Sequence, residues 1–323
     1  MEKKLLKFHY YLLINPIAGG GNGKKIGHQI STLMEQKQLK FTILETKYRL
    51  HEAKLISELS STVLSSWNVQ AKKAKGFFPL LVVIGGDGTL HQVINHVSDQ
   101  IPVAYIPAGS GNDFARSLGV LQPPQQLLEK ILQTTAPRKI NILSCYDHTT
   151  DTHSLCVNNV GIGLDAAIVH TTNHSTAKQQ LYKYKMGSLS YIRAALRALF
   201  KQKGFPITIE CNNQSYYFKR AFLCTATNHP YFGGGIKIAP MANIYEAQVD
   251  LVVVERLPIF KIFYLILLLL LQKHTKSKYF HHFKAQTIHL SSSTKQFLQK
   301  DGEDFDKASY VFILSSSEQL FWL

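Results

Sequence analysis

Residues 79–95 read PLLVVIGGDGTLHQVIN, and their order decides the fold. Five consecutive apolar residues, 80–84, lie between Pro79 and Gly85 and have the length and composition of a buried strand. Leu90, Val93, Ile94 and Val97 follow at helical spacing. Between the two lies a turn of Gly85, Gly86, Asp87, Gly88 and Thr89. Strand, glycine turn and helix form half of a strand–helix–strand unit, and the pattern recurs on both sides. Upstream, residues 10–14 (YYLLI) predict a strand, NPIAGGGNGKK (15–25) a glycine loop, and Ile26, Ile30, Leu33 and Met34 a helix face. FTIL at 41–44 predicts a second strand, and Ala53, Leu55, Ile56 and Leu59 a second helix. The Ser-, Lys- and Ala-rich stretch 60–76 reads as a surface connection. Downstream, IPVAYIP (101–107) is another strand, and AGSGNDFARSLG (108–119) another loop leading into helix. Such alternation argues for a parallel sheet with helices on both faces.

The pattern changes near residue 135, where TTAPRKI reads as a boundary. Beyond it strands dominate, over 140–143, 155–160, 207–211, 216–227, 249–254, 286–291, 295–299 and 309–314. Asn212-Asn213-Gln214 sits where a hairpin turn belongs. Two helices interrupt. One carries Leu189, Ile192, Leu196 and Leu199 on one side and Arg193, Arg197 and Lys201 on others. The other is the apolar run 259–272. The expected organisation is a parallel α/β nucleotide domain over 1–136 and a β-rich domain over 137–314, with 315–323 able to pack back on the first.

The chain has 323 residues, 45% hydrophobic and 18% charged, a globular composition with room for about two domains. Its net charge of +15 favours a polyanionic partner: nucleic acid, an anionic membrane surface or a phosphorylated substrate. With no stacking-aromatic motif, nucleic-acid binding rests on charge alone and is not the expectation. The cysteines, Cys145, Cys156, Cys211 and Cys224, form no CxxC pair and read as free thiols of a reducing cytosol. His9, Tyr10 and Tyr11 interrupt the apolar stretch near the start, which argues against a signal peptide. FYLILLLLL (263–271) is far short of the roughly 20 apolar residues of a spanning helix; it reads as buried or as a lipid-facing wall.

Three glycine loops on successive strand–helix units share one physical purpose. Glycine lets the backbone approach a ligand closely, and a helix N-terminus presents N–H groups to an anion. In an open parallel sheet such loops gather at the carboxyl ends of the strands. Gly19, Gly21 and Lys24, with Lys25 beside it, therefore join the two downstream loops as a candidate phosphate site. Neither nucleotide fingerprint fits: no Ser or Thr follows the lysines, and GxGxxG fails at Lys24. Asp87 and Asp113 add carboxylates beside that site. A carboxylate repels a polyphosphate unless a cation lies between, and Mg²⁺ is the usual one; Asp113 can alternatively cap the helix that follows. KDGEDFD (300–306) reads by itself as a hairpin turn.

The ordered set NPIAGGGNGKK, GGDGTLHQVIN, IPAGSGNDFARSLG and the distant DGE resembles the diacylglycerol kinase catalytic family, and more narrowly its soluble bacterial lipid kinases. NNVGIGLDA (158–166) and FGGGIKIAP (232–240) are similar as well. The resemblance implies an α/β nucleotide domain like that of NAD kinases and phosphofructokinases, a β-rich second domain and an active site in the cleft between. It implies ATP and Mg²⁺ as cofactors. Gly85, Gly86, Asp87, Gly88 and Thr89 would meet the ATP phosphates, and Asn15, Ser110, Gly111, Asn112 and Asp113 would line the nucleotide. Asp87 and Asp113 would hold Mg²⁺, Asp301 would be the general base for a lipid hydroxyl, and Glu303 would support it. Diacylglycerol is the simplest acceptor, met at an anionic membrane on the cytoplasmic side, with a homodimer possible. Lys183, Lys185, Arg193, Arg197, Lys201 and Lys203 are the docking candidates. One departure stands out: PMANIYEAQVD (240–250) lacks the Asp-Asp-Gly that the family ties to a structural metal, although Asp250 is kept. NAD kinase, which shares GGDGT, and a non-catalytic lipid or nucleotide sensor on the same fold are the alternatives.

Overall fold

A computed structural model describes residues 7–67, 76–174 and 196–323. The chain divides into two compact units, one of residues 1–140 with 318–323 and one of residues 141–317.

The first unit is a parallel sheet in the order β2-β1-β3-β4: β1 (Lys7–Ile14), β2 (Lys40–Glu45), β3 (Phe77–Gly85) and β4 (Val103–Pro107). Leu12 pairs with Val82 and Val82 with Ala104. The central strands are buried on both faces, with Leu12, Leu13, Leu80, Leu81, Val82, Val83 and Ile84 out of solvent, as continuous apolar runs in a covered parallel sheet must be. Helices α1 (Ala18–Gln36) and α5 (Pro124–Gln133) pack together, as do α2 (His51–Thr62) and α3 (Asp87–Ile94). The short α4 (Asp113–Leu118) follows the third loop. From β1 the chain moves to β2 on one side, and from β3 to β4 on the other. Strand order reverses between β1 and β3, the place where an open α/β sheet makes a crevice at the carboxyl ends.

The second unit is antiparallel. β5 (Arg138–Asp147) pairs with β6 (Thr152–Cys156), and the main sheet runs β13-β12-β9-β7-β14-β15 with β8 between β9 and β14. The members are β7 (Asn159–Gly163), β8 (Phe205–Cys211), β9 (Gln214–Thr227), β12 (Val249–Glu255), β13 (Phe280–Ala285), β14 (Thr287–Lys300) and β15 (Glu303–Phe321). β10 (Tyr231–Phe232) and β11 (Ile236–Lys237) form a separate ribbon. Asn212 and Asn213, both at positive φ, turn β8 into β9. Leu143, Ile162, Ile209, Leu251, Val253, Ile288 and Phe312 lie in one buried cluster.

Several expectations are corrected. The strand expected at 155–160 is two, broken at Val157 and Asn158, whose N–H groups serve a carboxylate instead of a neighbouring strand. Those expected at 286–291 and 295–299 are one strand with register shifts beyond Ser292. β13 was not expected, because its FHHFKA carries polar residues satisfied by partners elsewhere in sequence.

The apolar run folds as α7 (Ile259–Leu270). Only Ile262 and Leu265 of it are buried; Phe260 (67% exposed), Tyr264, Leu267 and Leu270 (64%) face out. No described helix is long and apolar enough to cross a membrane. Residues 196–201 are helical; Lys183, Lys185, Leu189, Ile192 and Arg193 lie outside the described residues. The four cysteines are buried and free.

Candidate functional site

In the first unit the three loops leave the carboxyl ends of adjacent strands β1, β3 and β4 and touch one another. Gly19, Gly20 and Gly21 have φ of 57°, 69° and 101°, so the regular part of α1 begins after them. A Cβ on Gly19 would sit 2.2 Å from the Ala108 carbonyl oxygen, and one on Gly109 would sit 2.8 Å from Gly86 Cα. Only hydrogen fits at these crossings. Gly23 has the same constraint against the Asn15 carbonyl oxygen, at 1.9 Å. Asn15 ties the first loop to the second by donating its amide to Thr89 Oγ1 (2.9 Å) and to Glu52 Oε1 (3.3 Å).

Asp87 opens α3 and Asp113 opens α4. Asp113 donates its backbone N–H to Asp87 Oδ2 at 3.3 Å, so both acids belong to one corner. Capping does not account for Asp113: the N-cap of α4 is Asn112, in the left-handed region, while the Asp113 carboxylate lies 4.0 Å from Arg116 Nε. Burial, and then the charge of Asp87, push the Tyr105 phenol well above its ordinary value; its O–H donates to the Gly85 carbonyl oxygen, 3.3 Å away. Asn112 donates to the Gly109 oxygen at 2.8 Å. Gly88, Ser110, Lys24 and Lys25 are exposed at the rim, with Gly86 and Gly111 half-buried. Asp87 and Asp113, on backbone-lined loops, offer only oxygen donors, the kind that suits Mg²⁺, a hard cation that shares its shell with phosphates and waters.

In the second unit the DGE turn joins β14 to β15. Asp301 (φ 49°) and Gly302 (φ 84°) are both left-handed, the form a two-residue hairpin needs. The turn does more than reverse the chain. Val157 donates its N–H to Asp301 Oδ2 at 2.7 Å, and Asn158 and Asn159 donate theirs to Oδ1 at 2.8 and 3.0 Å. Asp301 N–H returns a bond to the Asn159 oxygen at 3.0 Å. Three backbone donors on one carboxylate fix its orientation. Glu303, half-buried, pairs with Lys300 across the hairpin.

A buried network supports this carboxylate, and it was scarcely legible in the residue pattern. His229 is fully buried; burial pushes its imidazole down to about 4, the Asp301 charge opposing. Its Nδ1 accepts the Tyr231 N–H (3.1 Å), which leaves Nε2–H to donate to Asn158 Oδ1 (3.1 Å). Gln299 donates to Asp165 Oδ2 (3.2 Å) and to Asn159, and accepts the Gly302 N–H (3.0 Å). Burial pushes the Asp165 carboxyl up to about 7. The signal for this network was the stretch NNVGIGLDA, whose polar residues have no periodicity of their own. Glu52, buried at the first turn of α2, was missed for the same reason.

The segment 240–250 does not fit a structural metal. Lys284 donates to Glu246 Oε2 (2.7 Å) and to the Met241 carbonyl oxygen (3.3 Å), and with Asn243 it holds the Glu246 carboxyl below its usual range. His282 Nε2 lies 2.6 Å from Oδ1 of buried Asp250. A cationic side chain and an imidazole already answer both carboxylates.

Residues 9–145 match the model of the diacylglycerol kinase catalytic domain, and 158–314 match the YegS C-terminal NAD kinase beta sandwich-like domain. The chain thus carries a diacylglycerol kinase catalytic domain followed by a YegS-type C-terminal domain. Among its relatives is "Putative lipid kinase YtlR" of Bacillus subtilis, 28% identical over 91% of this chain and 93% of the relative. A diacylglycerol kinase of Staphylococcus haemolyticus is 27% identical over 73% of this chain and 68% of its own. A Bacillus anthracis structure named as a putative diacylglycerol kinase superposes with a TM-score of 0.71 at 23% identity, over 99% and 98% of the two chains. An ATP-bound NAD kinase from Archaeoglobus fulgidus reaches 0.52 at 12% identity, over 98% and 94%. The kinase family identifies a phosphotransferase, and the shared fold is an α/β unit followed by a β-rich one.

Proposed function

We propose that this member of the family transfers the γ-phosphate of ATP to the hydroxyl of a lipid, most simply diacylglycerol, giving phosphatidic acid. The observation that carries the reading is the corner of the first unit where three glycine loops meet at the strand-order reversal and bring Asp87 beside Asp113. Phosphoryl transfer needs positioning and charge neutralisation more than covalent participation. Backbone-lined loops supply the first, and Asp87 and Asp113 would hold the Mg²⁺ that supplies the second. Asp301 would accept the proton of the lipid hydroxyl, with its carboxylate already oriented by three backbone N–H groups.

Two features support a membrane-borne acceptor. The net charge is +15, and each Lys or Arg close to an anionic bilayer contributes about 1 kcal/mol. The outward face of α7 is Phe260, Tyr264, Leu267 and Leu270, a surface that a water-soluble acceptor such as NAD gives no reason for.

The deciding experiment is ATP-dependent labelling of a panel containing diacylglycerol, ceramide, sphingosine, phosphatidylglycerol and undecaprenol, with NAD as a parallel acceptor. Label in a lipid is the expected result; label in NAD alone would move the chain to the NAD kinase reading. Vesicle sedimentation with and without anionic lipid tests the docking face. Binding to anionic vesicles, weakened by Leu267→Asp, is expected; no binding to either vesicle overturns that part.

A further inference from the structure

We propose that His170, His174 and Asp304 of the second unit form a binding site for a divalent transition-metal ion of the Zn²⁺ type, separate from the Mg²⁺ corner of the first. The proposal stands on side-chain geometry and not on the kinase reading. α6 (Leu164–Asn173) ends at this point, with His174 as its C-cap. His170 and His174 are four residues apart, one helical turn, so both imidazoles lie on one side; their ring centroids are 4.1 Å apart. Both Nδ1 atoms approach the same carboxylate oxygen, Asp304 Oδ2, at 2.8 and 3.2 Å. A tetrahedral ion with bonds of about 2.0–2.2 Å separates its ligand atoms by roughly 3.3–3.6 Å. The two nitrogen–oxygen distances therefore need to open by less than about 1 Å, and all three donor atoms already lie within 4.8 Å of one another.

The surroundings hold Asp304 and His170 in place as an outer shell does, while His174, more exposed, has its Nδ1 3.1 Å from the His170 carbonyl oxygen. Asn173 donates to the other Asp304 oxygen at 2.6 Å and to the Gly302 carbonyl oxygen at 3.2 Å. The His170 ring stacks on Phe297 at 4.0 Å. Two imidazoles and one carboxylate select a borderline-soft ion over Mg²⁺, which prefers an all-oxygen shell. Three protein ligands also leave a coordination position open. Both histidines line a cavity of about 580 Å³ whose other walls include Arg197, Lys201, Gln202 and Lys307. That cationic wall favours an anion, a phosphate or a carboxylate, as the fourth ligand. The competing description is a proton shared between imidazole and carboxylate, an ordinary ion pair with no metal.

Titration of the chelator-stripped full chain with Zn²⁺ by calorimetry, and with Co²⁺ by visible absorption, separates the two. The expected result is one equivalent bound at micromolar or lower concentration, a tetrahedral Co²⁺ spectrum, and no displacement by millimolar Mg²⁺. His170→Ala/His174→Ala should abolish that equivalent. Asn173→Ala, a change at an outer-shell partner, should weaken it about 10–100-fold, and Asp304→Asn, which removes a ligand, should weaken it more, with circular dichroism unchanged in both. A wild-type chain that takes up no stoichiometric Zn²⁺, or a double variant that binds it as the wild type does, overturns the proposal and leaves the ion pair.

Discussion

The glycine-loop corner of the first unit and the DGE hairpin of the second both present aspartate, yet they are built on opposite plans. The first is shaped by missing atoms: Gly19 and Gly109 bring three loops within van der Waals distance of one another, Gly23 lets the first loop close on its own Asn15, and a Cβ at any of them strikes backbone. Asp87 there takes a backbone N–H of Asp113 at 3.3 Å. The second is shaped by added bonds, three strong backbone donors on Asp301 and a buried polar network behind them. Close backbone approach leaves room for a large, charged, multidentate ligand. Dense hydrogen bonding holds one small group at one angle. On the proposed reading, the former would receive the phosphate donor and the latter the acceptor hydroxyl.

The sharpest way to break this contrast is Asp301→Asn. Asparagine tolerates the left-handed conformation at 301, so the hairpin should survive. If Asp301 is the base, kcat for lipid phosphorylation should fall about 10²–10⁴-fold, well beyond what the accompanying loss of about 1–3 kcal/mol of stability explains, since the amide NH2 replaces an oxygen that accepts a backbone N–H. A rate within about threefold of wild type would end the assignment.

Gly19→Ala against Gly21→Ala tests the steric plan of the first region. Both glycines are at positive φ, but a Cβ on Gly21 meets nothing within 4 Å. Alanine in the left-handed region costs roughly 1–2 kcal/mol, and the clash with Ala108 should add about 1–3 kcal/mol at Gly19 alone. Urea unfolding of the two variants would show that gap; equal losses would mean that conformation, and not loop contact, sets the requirement.

A pH-dependent effect concerns the network behind Asp301. The folded value of Asp165, about 7, lies above the ordinary 3.8. The unfolded chain therefore releases this proton first, and the stability contributed by the group falls as pH rises from about 4 to about 7. Asp165→Asn removes the titration. The wild type minus variant difference in unfolding free energy should decline across that window and level off above it. A flat difference would place the proton elsewhere.

The two plans also differ in how far they could be read in the sequence. Loops that require glycine announce themselves locally, as strand, glycine run and helix, so the parallel sheet and the cluster of Gly85, Gly86, Asp87 and Asn112 were legible. Hydrogen-bonded sites depend on partners far along the chain. Asp301 reads as a turn until Val157, Asn158 and Asn159 are beside it, some 140 residues earlier in the sequence. Polar residues inside strands mislead for the same reason: His281 and His282 hid β13 because Glu255 and Asp250, which satisfy them, lie on another strand.

β15 does not end in the second unit. Its last residues return to the first: Phe321 pairs with Val103, and Trp322 donates its backbone N–H to the Val103 oxygen and its indole N–H to the Ile131 oxygen, both at 2.9 Å. Trp322 is 1% exposed, packed edge-on against Phe8 and Trp67. During synthesis, the first unit therefore leaves the ribosome without a piece of its own core. It must wait for some 180 further residues before Trp322 arrives to close it. Contacts this distant in sequence slow folding, and an open apolar surface in the interval is an aggregation hazard. The nascent first unit is thus an expected client for chaperones until the final strand docks.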